Sequence, residues 1–221
     1  MRFLILLIYL INFSTANALS KSNDCEQVSI IYQNSNINDD IEINSLSDDL
    51  DALLKSCYSL KESNGTGIVE YIIALIYFEK KEIKNFELNL IKSIENGYDA
   101  YDEIIRLYYY GYETDQYTVQ IDTDKFLKYS LEGADQNSAK ALYHLGYEYK
   151  YGGVTEINKV KALEYLGKSA NLGLIFSKLE LIDLESINSF QSLNELELLV
   201  NSKEVKNTKT TFALEFIYWH A

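Results

Sequence analysis

The chain has 221 residues, no proline and a formal net charge of −13 at neutral pH. Hydrophobic residues make up 47% of it, which excludes global disorder. The acidity disfavours nucleic acid as a partner, because a phosphate backbone needs clustered Lys and Arg, and it disfavours adsorption to anionic lipid headgroups.

The first 18 residues have the order of a secretory signal. Arg2 precedes an apolar run, and Ala16-Asn17-Ala18 offers small residues to a signal peptidase. The run is shorter than the ~20 residues that cross a bilayer as a helix. We therefore expect cleavage after Ala18 and a periplasmic or secreted protein, with a retained N-terminal anchor as the alternative. No later stretch is apolar enough for membrane insertion after cleavage.

Two cysteines, Cys25 and Cys57, follow the predicted signal. An even count in an oxidising compartment indicates one disulfide, which would tie a polar N-terminal arm, residues 19–44, to an N-terminal helix within residues 45–64. Such a bond stabilises a fold by about 3–4 kcal/mol. One buried and one exposed thiol is the alternative. A zinc site is disfavoured, because two cysteines without a nearby histidine cannot complete a tetrahedral shell.

The arm is rich in Ser, Asn and Asp, so we expect irregular structure, with a short strand or turn at the apolar run 28–32. Leucines at helical spacing predict a first helix over residues 45–60, capped by Ser45 or Ser47. Helical patterns and short turns then alternate through residues 65–185, with a longer polar loop at 112–121. The helices predicted in this part cover residues 68–78, 82–96, 98–110, 122–136, 138–151, 157–171 and 174–184.

Residues 186–221 hold a degenerate repeat and a last helix, with helical segments predicted over 189–202 and 207–220. We interpret the last helix as a cap, because an array of stacked helices must cover its final apolar face. A second contact surface is the alternative.

The strongest sequence pattern is a repeat with an offset of 36 residues. A fixed period of this size is typical of stacked helical arrays. Gly97, Asn137 and Gly173 each follow the second helix of a pair, where a left-handed cap is needed. Small residues recur where helices must approach closely. The pairs related by the offset are Glu132-Gly133-Ala134 with Lys168-Ser169-Ala170, Asp122 with Asn158, Lys125 with Lys161, Leu127 with Leu163 and Tyr129 with Tyr165.

Residues 139–154, AKALYHLGYEYKYGGV, followed by 158–173, NKVKALEYLGKSANLG, resemble the Sel1-like repeat, a relative of the tetratricopeptide repeats. The resemblance extends over residues 67–184 and departs from the pattern at Ile94, Phe126 and Asn137. It implies an all-α fold, a right-handed α/α superhelix (solenoid) of stacked helix pairs that binds proteins. It implies no catalytic residue and no cofactor.

Tyrosine is the residue type that points to a binding surface, with 19 copies in the chain. Tyr143, Tyr147 and Tyr151 are spaced by four, so one face of a helix would carry all three. Tyr110 and Tyr112 lie near the neighbouring turn. Because Tyr is enriched at binding hot spots, we expect these five rings to contact a protein partner. Packing of the rings between repeats is the alternative.

Little in the sequence favours an enzyme. Of the two histidines, His144 is expected at a surface position and His220 is next to last. Some members of the repeat family have been linked to β-lactam hydrolysis, but no Ser-x-x-Lys signature occurs. The resulting hypothesis is a monomeric, non-catalytic binding module or adaptor whose partner is another protein. A periplasmic immunity protein against a basic toxin is the first alternative, and a cell-wall or β-lactam hydrolase is the second.

Overall fold

The computed structural model describes residues 24–39, 41–64, 66–114 and 117–185. These ranges hold ten helices and one two-stranded hairpin, so the predicted all-α class is confirmed. None of these helices is both long and apolar enough to cross a membrane. The elements are α1 (Cys25–Asn34), α2 (Ile43–Leu46), α3 (Leu50–Asn64), α4 (Gly67–Glu79), α5 (Ile83–Glu95), α6 (Tyr101–Tyr110), β1 (Tyr112–Glu113), β2 (Thr118–Val119), α7 (Thr123–Asp135), α8 (Ala139–Tyr151), α9 (Lys159–Asn171) and α10 (Ile175–Glu185).

The N-terminal arm is helical where irregular structure was expected. In α1 the side chain of Asp24 accepts a hydrogen bond from the amide of Glu26, which caps the helix. Cys25, Val28 and Tyr32 are buried at helical spacing, so burial of one face outweighs the strand preference of the β-branched run. The expectation of an irregular arm is therefore wrong for this segment.

The expected disulfide is present and joins α1 to α3 through Cys25 and Cys57. The start of α3 differs from the prediction. Asp49, rather than Ser45 or Ser47, provides the cap, because its Oδ1 accepts a 2.9 Å hydrogen bond from the amide of Ala52. Between α1 and α3, the described residues form only the short helix α2.

Successive helices from α4 to α10 pack on one another as pairs, and the 36-residue offset corresponds to a structural equivalence. Asp122 caps α7 by accepting from the amide of Lys125 at 2.9 Å. Asn158 caps α9 by accepting from the amide of Lys161 at 3.1 Å. Equivalent residues thus make equivalent caps, as the repeat predicted.

The turns between pairs are also equivalent. Asn137 has a φ of 58°, so it takes the left-handed conformation that the sequence predicted for it. The next amide, of Ser138, donates to the carbonyl of Gly133 at 2.8 Å. One repeat later, Leu174 donates to the carbonyl of Ser169 at 3.3 Å. These bonds set the angle at which each new pair begins.

Small residues allow the close helix contacts that the pattern indicated. A Cβ atom added to Gly146 of α8 would lie 2.6 Å from Cγ of Leu166 on α9. A Cβ added to Gly133 of α7 would lie 2.5 Å from Cβ of Ala141 on α8. Both distances are shorter than carbon–carbon contacts in proteins, so the helix spacing at these points depends on glycine.

The polar loop expected at 112–121 contains more structure than predicted. Its strands β1 and β2 pair antiparallel, with Tyr112 opposite Val119 and Glu113 opposite Thr118. The predicted signal segment and the helices predicted over 189–202 and 207–220, including the cap, lie outside the described residues.

Candidate protein-binding groove

The first helix of each pair contributes to one face of the array, which we call the inner face. The name covers α4, α6, α8 and α10, because α6 contacts α8, α8 contacts α10, and α4 and α6 line one cavity. On α8, Tyr143, Tyr147 and Tyr151 lie side by side, as their spacing predicted. Their ring centroids are 5.9 Å apart between Tyr143 and Tyr147 and 4.5 Å apart between Tyr147 and Tyr151. We call these three rings the tyrosine ladder.

The ladder is open to solvent along most of its length. Tyr147 and Tyr151 are 37% and 41% exposed. Tyr143 is half-buried, with its ring 6.2 Å from that of Phe176 on α10. The three rings thus form a continuous aromatic surface. Its Tyr143 end packs against Phe176 of α10.

The opposite side of α8 packs against the array. Leu145 and Gly146 are buried there, as the sequence predicted. Tyr149 stacks on Tyr165 of α9, with ring centroids 5.7 Å apart and planes 7° from parallel. Helix α8 therefore carries exposed ladder tyrosines on one side and the packed Tyr149 on the other. Substitutions of Tyr149 can serve as controls for substitutions in the ladder.

Beneath the ladder, a buried ion pair fixes α8 to α10. The ammonium of Lys150 and a carboxylate oxygen of Glu180 are 2.6 Å apart, and these side chains are only 6% and 7% exposed. The hydroxyl of Tyr151 donates to the same carboxylate oxygen at 3.1 Å. Tyr151, at the other end of the ladder, is therefore held in place by a hydrogen bond to a charged group.

Tyr110 ends α6, the helix that contacts α8, and Tyr112 lies in β1. Tyr110 is 69% exposed. Burial, Glu180 and Tyr110 together raise the pKa of the Tyr147 hydroxyl. The ring of Tyr112 is 5.7 Å from that of Phe78. Both tyrosines line a cavity that none of the three ladder rings lines, so the five predicted residues divide between the ladder and the cavity.

Other tyrosines pack between helices, as the alternative interpretation expected. Tyr108 is buried and stacks on Tyr129, with centroids 5.7 Å apart. Tyr101 is also buried, and its hydroxyl donates to Glu132. The packing interpretation is therefore confirmed for these rings, whereas contact of the other five with a partner stays a prediction.

The cavity, which we call the inner cavity, has a volume of about 600 Å³. It lies among the segment after α1, helix α4 and helix α6, with Lys140 of α8 at its edge. Pockets for small ligands or side chains have volumes of ~300–1000 Å³. Its aromatic and charged lining includes Tyr32, Tyr71, Tyr98, Asp102, Glu103 and Lys140.

A turn of the N-terminal arm closes one wall of the cavity and reaches the far end of the array. The side-chain amide of Asn38 donates to the carbonyl of Gly173 at 3.1 Å. Its Oδ1 accepts from the amide of Ile175 at 3.0 Å, at the start of α10. We call this pair of bonds the Asn38 clasp. The two bonds join residues that are 135 and 137 positions apart in the sequence, and no local pattern predicts such contacts.

Inside the cavity, Asp102 is paired with cationic and imidazole groups. Nε2 of His144 lies 2.7 Å from Asp102 Oδ1, and the ammonium of Lys140 lies 3.5 Å from Oδ2. Burial alone would raise the pKa of Asp102, but His144 and Lys140 outweigh it and lower the pKa. The side chain of His144 is 19% exposed and held by a carboxylate, so its expected surface position is wrong.

Glu103 has a different environment. The hydroxyl of Tyr71, which carries no charge, donates to its Oε1 at 2.7 Å. Burial, and then the neighbouring Asp102, raise the pKa of Glu103. Burial and Glu103 also raise the pKa of Tyr71 well above its usual value. Negative charge at Glu103 is thus less compensated than at Asp102.

Aromatic rings form the wall beside Glu103. The ring centroids of Tyr32 and Tyr71 are 5.7 Å apart with planes at 87°, and those of Tyr71 and Tyr98 are 4.9 Å apart. Burial raises the pKa of Tyr98 to about 12, so its hydroxyl stays protonated at neutral pH. The faces of such rings carry partial negative charge.

Chemistry other than binding would need a metal site or an activated nucleophile. Within the described residues, no group of three or more His, Cys, Asp or Glu side chains is arranged to hold a metal ion. The hydrogen-bond partner of His144 is a carboxylate rather than a hydroxyl or thiol, and both cysteines are in the disulfide. A nucleophile activated by a base is therefore not assembled around His144.

Sequence reasoning missed the inner cavity and its charged residues. Asp102 and Glu103 looked like ordinary first-turn acids of a helix, which usually face solvent. Their meeting with Lys140 and His144 depends on how α6 packs on α8. One signal in the sequence could have indicated this cluster. Lys140 and His144 are four residues apart, so they share a helix face next to the predicted ladder.

No protein-family model and no curated protein matches the sequence. Similar solved structures include the following two. One is c5321, a protective antigen present in uropathogenic Escherichia coli strains that displays an SLR fold, with a TM-score of 0.54 and 17% identity over 74% of this chain. The other is a Sel1 repeat protein from Oxalobacter formigenes, with a TM-score of 0.50 and 19% identity over 71% of this chain.

This chain spans 34% of the first structure's chain and 43% of the second, so the likeness concerns part of each neighbour. At these identities the likeness concerns the backbone arrangement and not a shared partner. This structural likeness agrees with the repeat motif in residues 139–173 and with the equivalent caps of α7 and α9. The chain has the Sel1-like repeat fold.

Proposed function

We propose that this chain is a secreted or periplasmic, non-catalytic module that binds another protein with its inner face. The tyrosine ladder is the observation that carries the proposal. Its two outer rings are 37% and 41% exposed on a helix whose opposite side is packed. Rigid aromatic rings supply binding energy at little cost in side-chain entropy, and stacked helical repeats present extended surfaces of this kind.

Two features support an oxidising compartment. The first 18 residues have the order of a cleaved signal, and the disulfide between Cys25 and Cys57 joins two segments of the N-terminal region. Mass spectrometry of the protein exported by a Gram-negative host tests this part. A mature chain that begins at Leu19 in the periplasmic fraction is expected, whereas a full-length chain in the cytoplasm would contradict it.

Site-specific photo-crosslinking tests the binding surface even while the partner is unidentified. Tyr147 is replaced by a photoreactive phenylalanine derivative in the native host, and Tyr149 is replaced in the matched control. Both positions are on α8, but they face opposite sides of the helix. A discrete protein adduct is expected at position 147 and not at 149.

The partner identified in this way then allows an affinity measurement. Tyr147→Ala with Tyr151→Ala should weaken binding by about a hundredfold, because each is expected to act as a hot spot. Tyr149→Ala with Tyr165→Ala is the matched double variant and should leave the affinity within about threefold. Equal adducts at both positions, or equal affinities of both double variants, would contradict the proposal.

A further inference from the structure

The inner cavity has a composition that selects for one kind of chemical group. Four carboxylates line it (Asp39, Asp99, Asp102 and Glu103), against two cationic side chains, Arg106 and Lys140. Arg106 and Asp39 are both exposed to solvent, where charge is screened. Lys140 is already paired with Asp102. The interior of the cavity is therefore negative, and a cation is the ligand that complements it.

Glu103 is less well compensated than its neighbour Asp102. Asp102 has both Lys140 and His144 against it, whereas the hydrogen-bond donor of Glu103 is the neutral hydroxyl of Tyr71. Burial and the adjacent Asp102 raise its pKa although Lys140 opposes them, so its charged form is only partly compensated. A ligand cation placed beside Glu103 would supply that compensation.

The aromatic wall adds a second, independent preference for a cation. Tyr71 lies between Tyr32 and Tyr98, and the centroid distances of 5.7 and 4.9 Å make the three rings a continuous surface. Ammonium and guanidinium groups are attracted to the faces of such rings, most strongly where water is excluded. The same Tyr71 donates its hydroxyl to Glu103, so ring surface and carboxylate are adjacent.

The cavity is also placed and held where a bound protein would reach it. Tyr110 lines it and ends α6, the helix that contacts the ladder helix α8. The Asn38 clasp fixes the arm that forms one wall, so the shape is present before binding. A volume of about 600 Å³ admits one long side chain together with the backbone that carries it.

We propose that the inner cavity receives the basic side chain, lysine or arginine, of a protein that lies along the tyrosine ladder. The inference rests on the proposed function and deepens it, because it names the chemical group that the partner inserts. In the complex, the cationic end lies between Glu103 and the rings of Tyr71 and Tyr98. The aliphatic part of the side chain packs against the aromatic wall.

An NMR titration of the full chain with short capped peptides tests this directly. The probes are Ac-Gly-Lys-Gly-NH2 and Ac-Gly-Arg-Gly-NH2, with the Nε-acetylated lysine peptide and Ac-Gly-Glu-Gly-NH2 as controls. At least one basic peptide should shift the amide signals of residues lining the cavity, with a Kd on the order of 1 mM. The acetylated and acidic peptides should not shift them.

Glu103→Gln should weaken the basic peptide by at least about fivefold, because it removes the charge and keeps an acceptor for Tyr71. Glu156→Gln is the matched control, since Glu156 is exposed in the loop between α8 and α9. Tyr98→Leu tests the aromatic wall separately and should also weaken binding. Equal binding to the wild type and Glu103→Gln, saturable binding of the acidic or acetylated peptide, or no shifts with either basic peptide would overturn the inference.

The outcome is separable from that of the proposed function. A cross-link at position 147 without binding of a basic peptide would end the inference and leave the protein-binding role in place. Binding of the basic peptide without a cross-link would support the cavity as a cation site and count against the ladder.

Discussion

The two ends of the inner face are held in shape by different means. At the N-terminal end, the inner cavity is walled by a segment without repeat pattern, and a disulfide, buried charges and the Asn38 clasp fix it. At the C-terminal end, the tyrosine ladder lies on a helix that packs on its neighbour through Gly146. The repeat helices pack through small residues and through ion pairs such as Lys150–Glu180, whereas the irregular wall depends on a disulfide and on hydrogen bonds to residues distant in sequence. Substitutions that break these supports one at a time should therefore differ in effect, from the disulfide as the largest to the clasp as the smallest.

Removal of the disulfide should have the largest effect. The double substitution Cys25→Ser and Cys57→Ser should lower the free energy of unfolding by about 3–4 kcal/mol, because the bond joins cysteines that are 32 positions apart in the sequence. Urea denaturation measures the change. The basic-peptide titration of the same variant should lose its signal, since α1 carries Tyr32. An unchanged unfolding midpoint would show that packing alone holds this wall.

Loss of the charge on Asp102 should cost about 2–3 kcal/mol, because Asp102→Asn leaves Lys140 without its nearest carboxylate in a half-buried site. The pKa of Asp102 is lowered in the fold, so its contribution is present above the unfolded value, about 4, and is lost as pH falls below it. The difference in unfolding free energy between wild type and variant should therefore shrink between about pH 5 and pH 2. A difference independent of pH would contradict this account of the pair.

A glycine pair on α8 and α9 tests the packing beneath the ladder. Gly146→Ala should destabilise the protein by about 1–2 kcal/mol, because the new Cβ would lie 2.6 Å from Leu166 Cγ. Gly167→Ala is the matched control on α9, where a Cβ meets no atom within 4 Å. It should stabilise the fold by about 0.5–1 kcal/mol through helix propensity. Thermal unfolding measures both, and a shift of the same sign would contradict the close approach.

The Asn38 clasp should show the smallest effect on stability. Asn38→Ala removes two hydrogen bonds at a part-buried site and should cost about 1 kcal/mol. Because the clasp joins both ends of the inner face, hydrogen exchange should become faster in the segment after α1 and at the start of α10. Asn34→Ala, which removes a bond within the exposed end of α1, is the control. Equal exchange in both variants would show that the clasp does not hold the ends together.

The repeat region was predictable because its determinants are local. Caps such as Asp122 and Asn158, left-handed turn residues such as Asn137, and small residues such as Gly146 all act on neighbours in sequence or in the next helix. Helix starts therefore fell within three residues of the predicted positions from α4 onward. The ladder followed from spacing alone, since side chains four apart share a helix face.

The N-terminal end was harder, because its determinants are distant. The run Val28 to Tyr32 favours a strand by composition, and only burial against α3 and α4 makes it a helix. The inner cavity depends on contacts such as Asp102 with His144, which are 42 residues apart. The Asn38 clasp, over 135 residues, has no sequence signature at all. Side-chain chemistry could be read from the sequence, but the angle between α6 and α8 could not.

Hydrogen–deuterium exchange of the chain, free and bound to the protein that cross-links at position 147, tests the central claim most directly. If the inner face is the binding surface, exchange should slow in α6 (Tyr101–Tyr110) and α8 (Ala139–Tyr151) and remain unchanged in α7 (Thr123–Asp135) and α9 (Lys159–Asn171). Slower exchange in α7 and α9, with α6 and α8 unaffected, would place the partner on the opposite face and contradict the account.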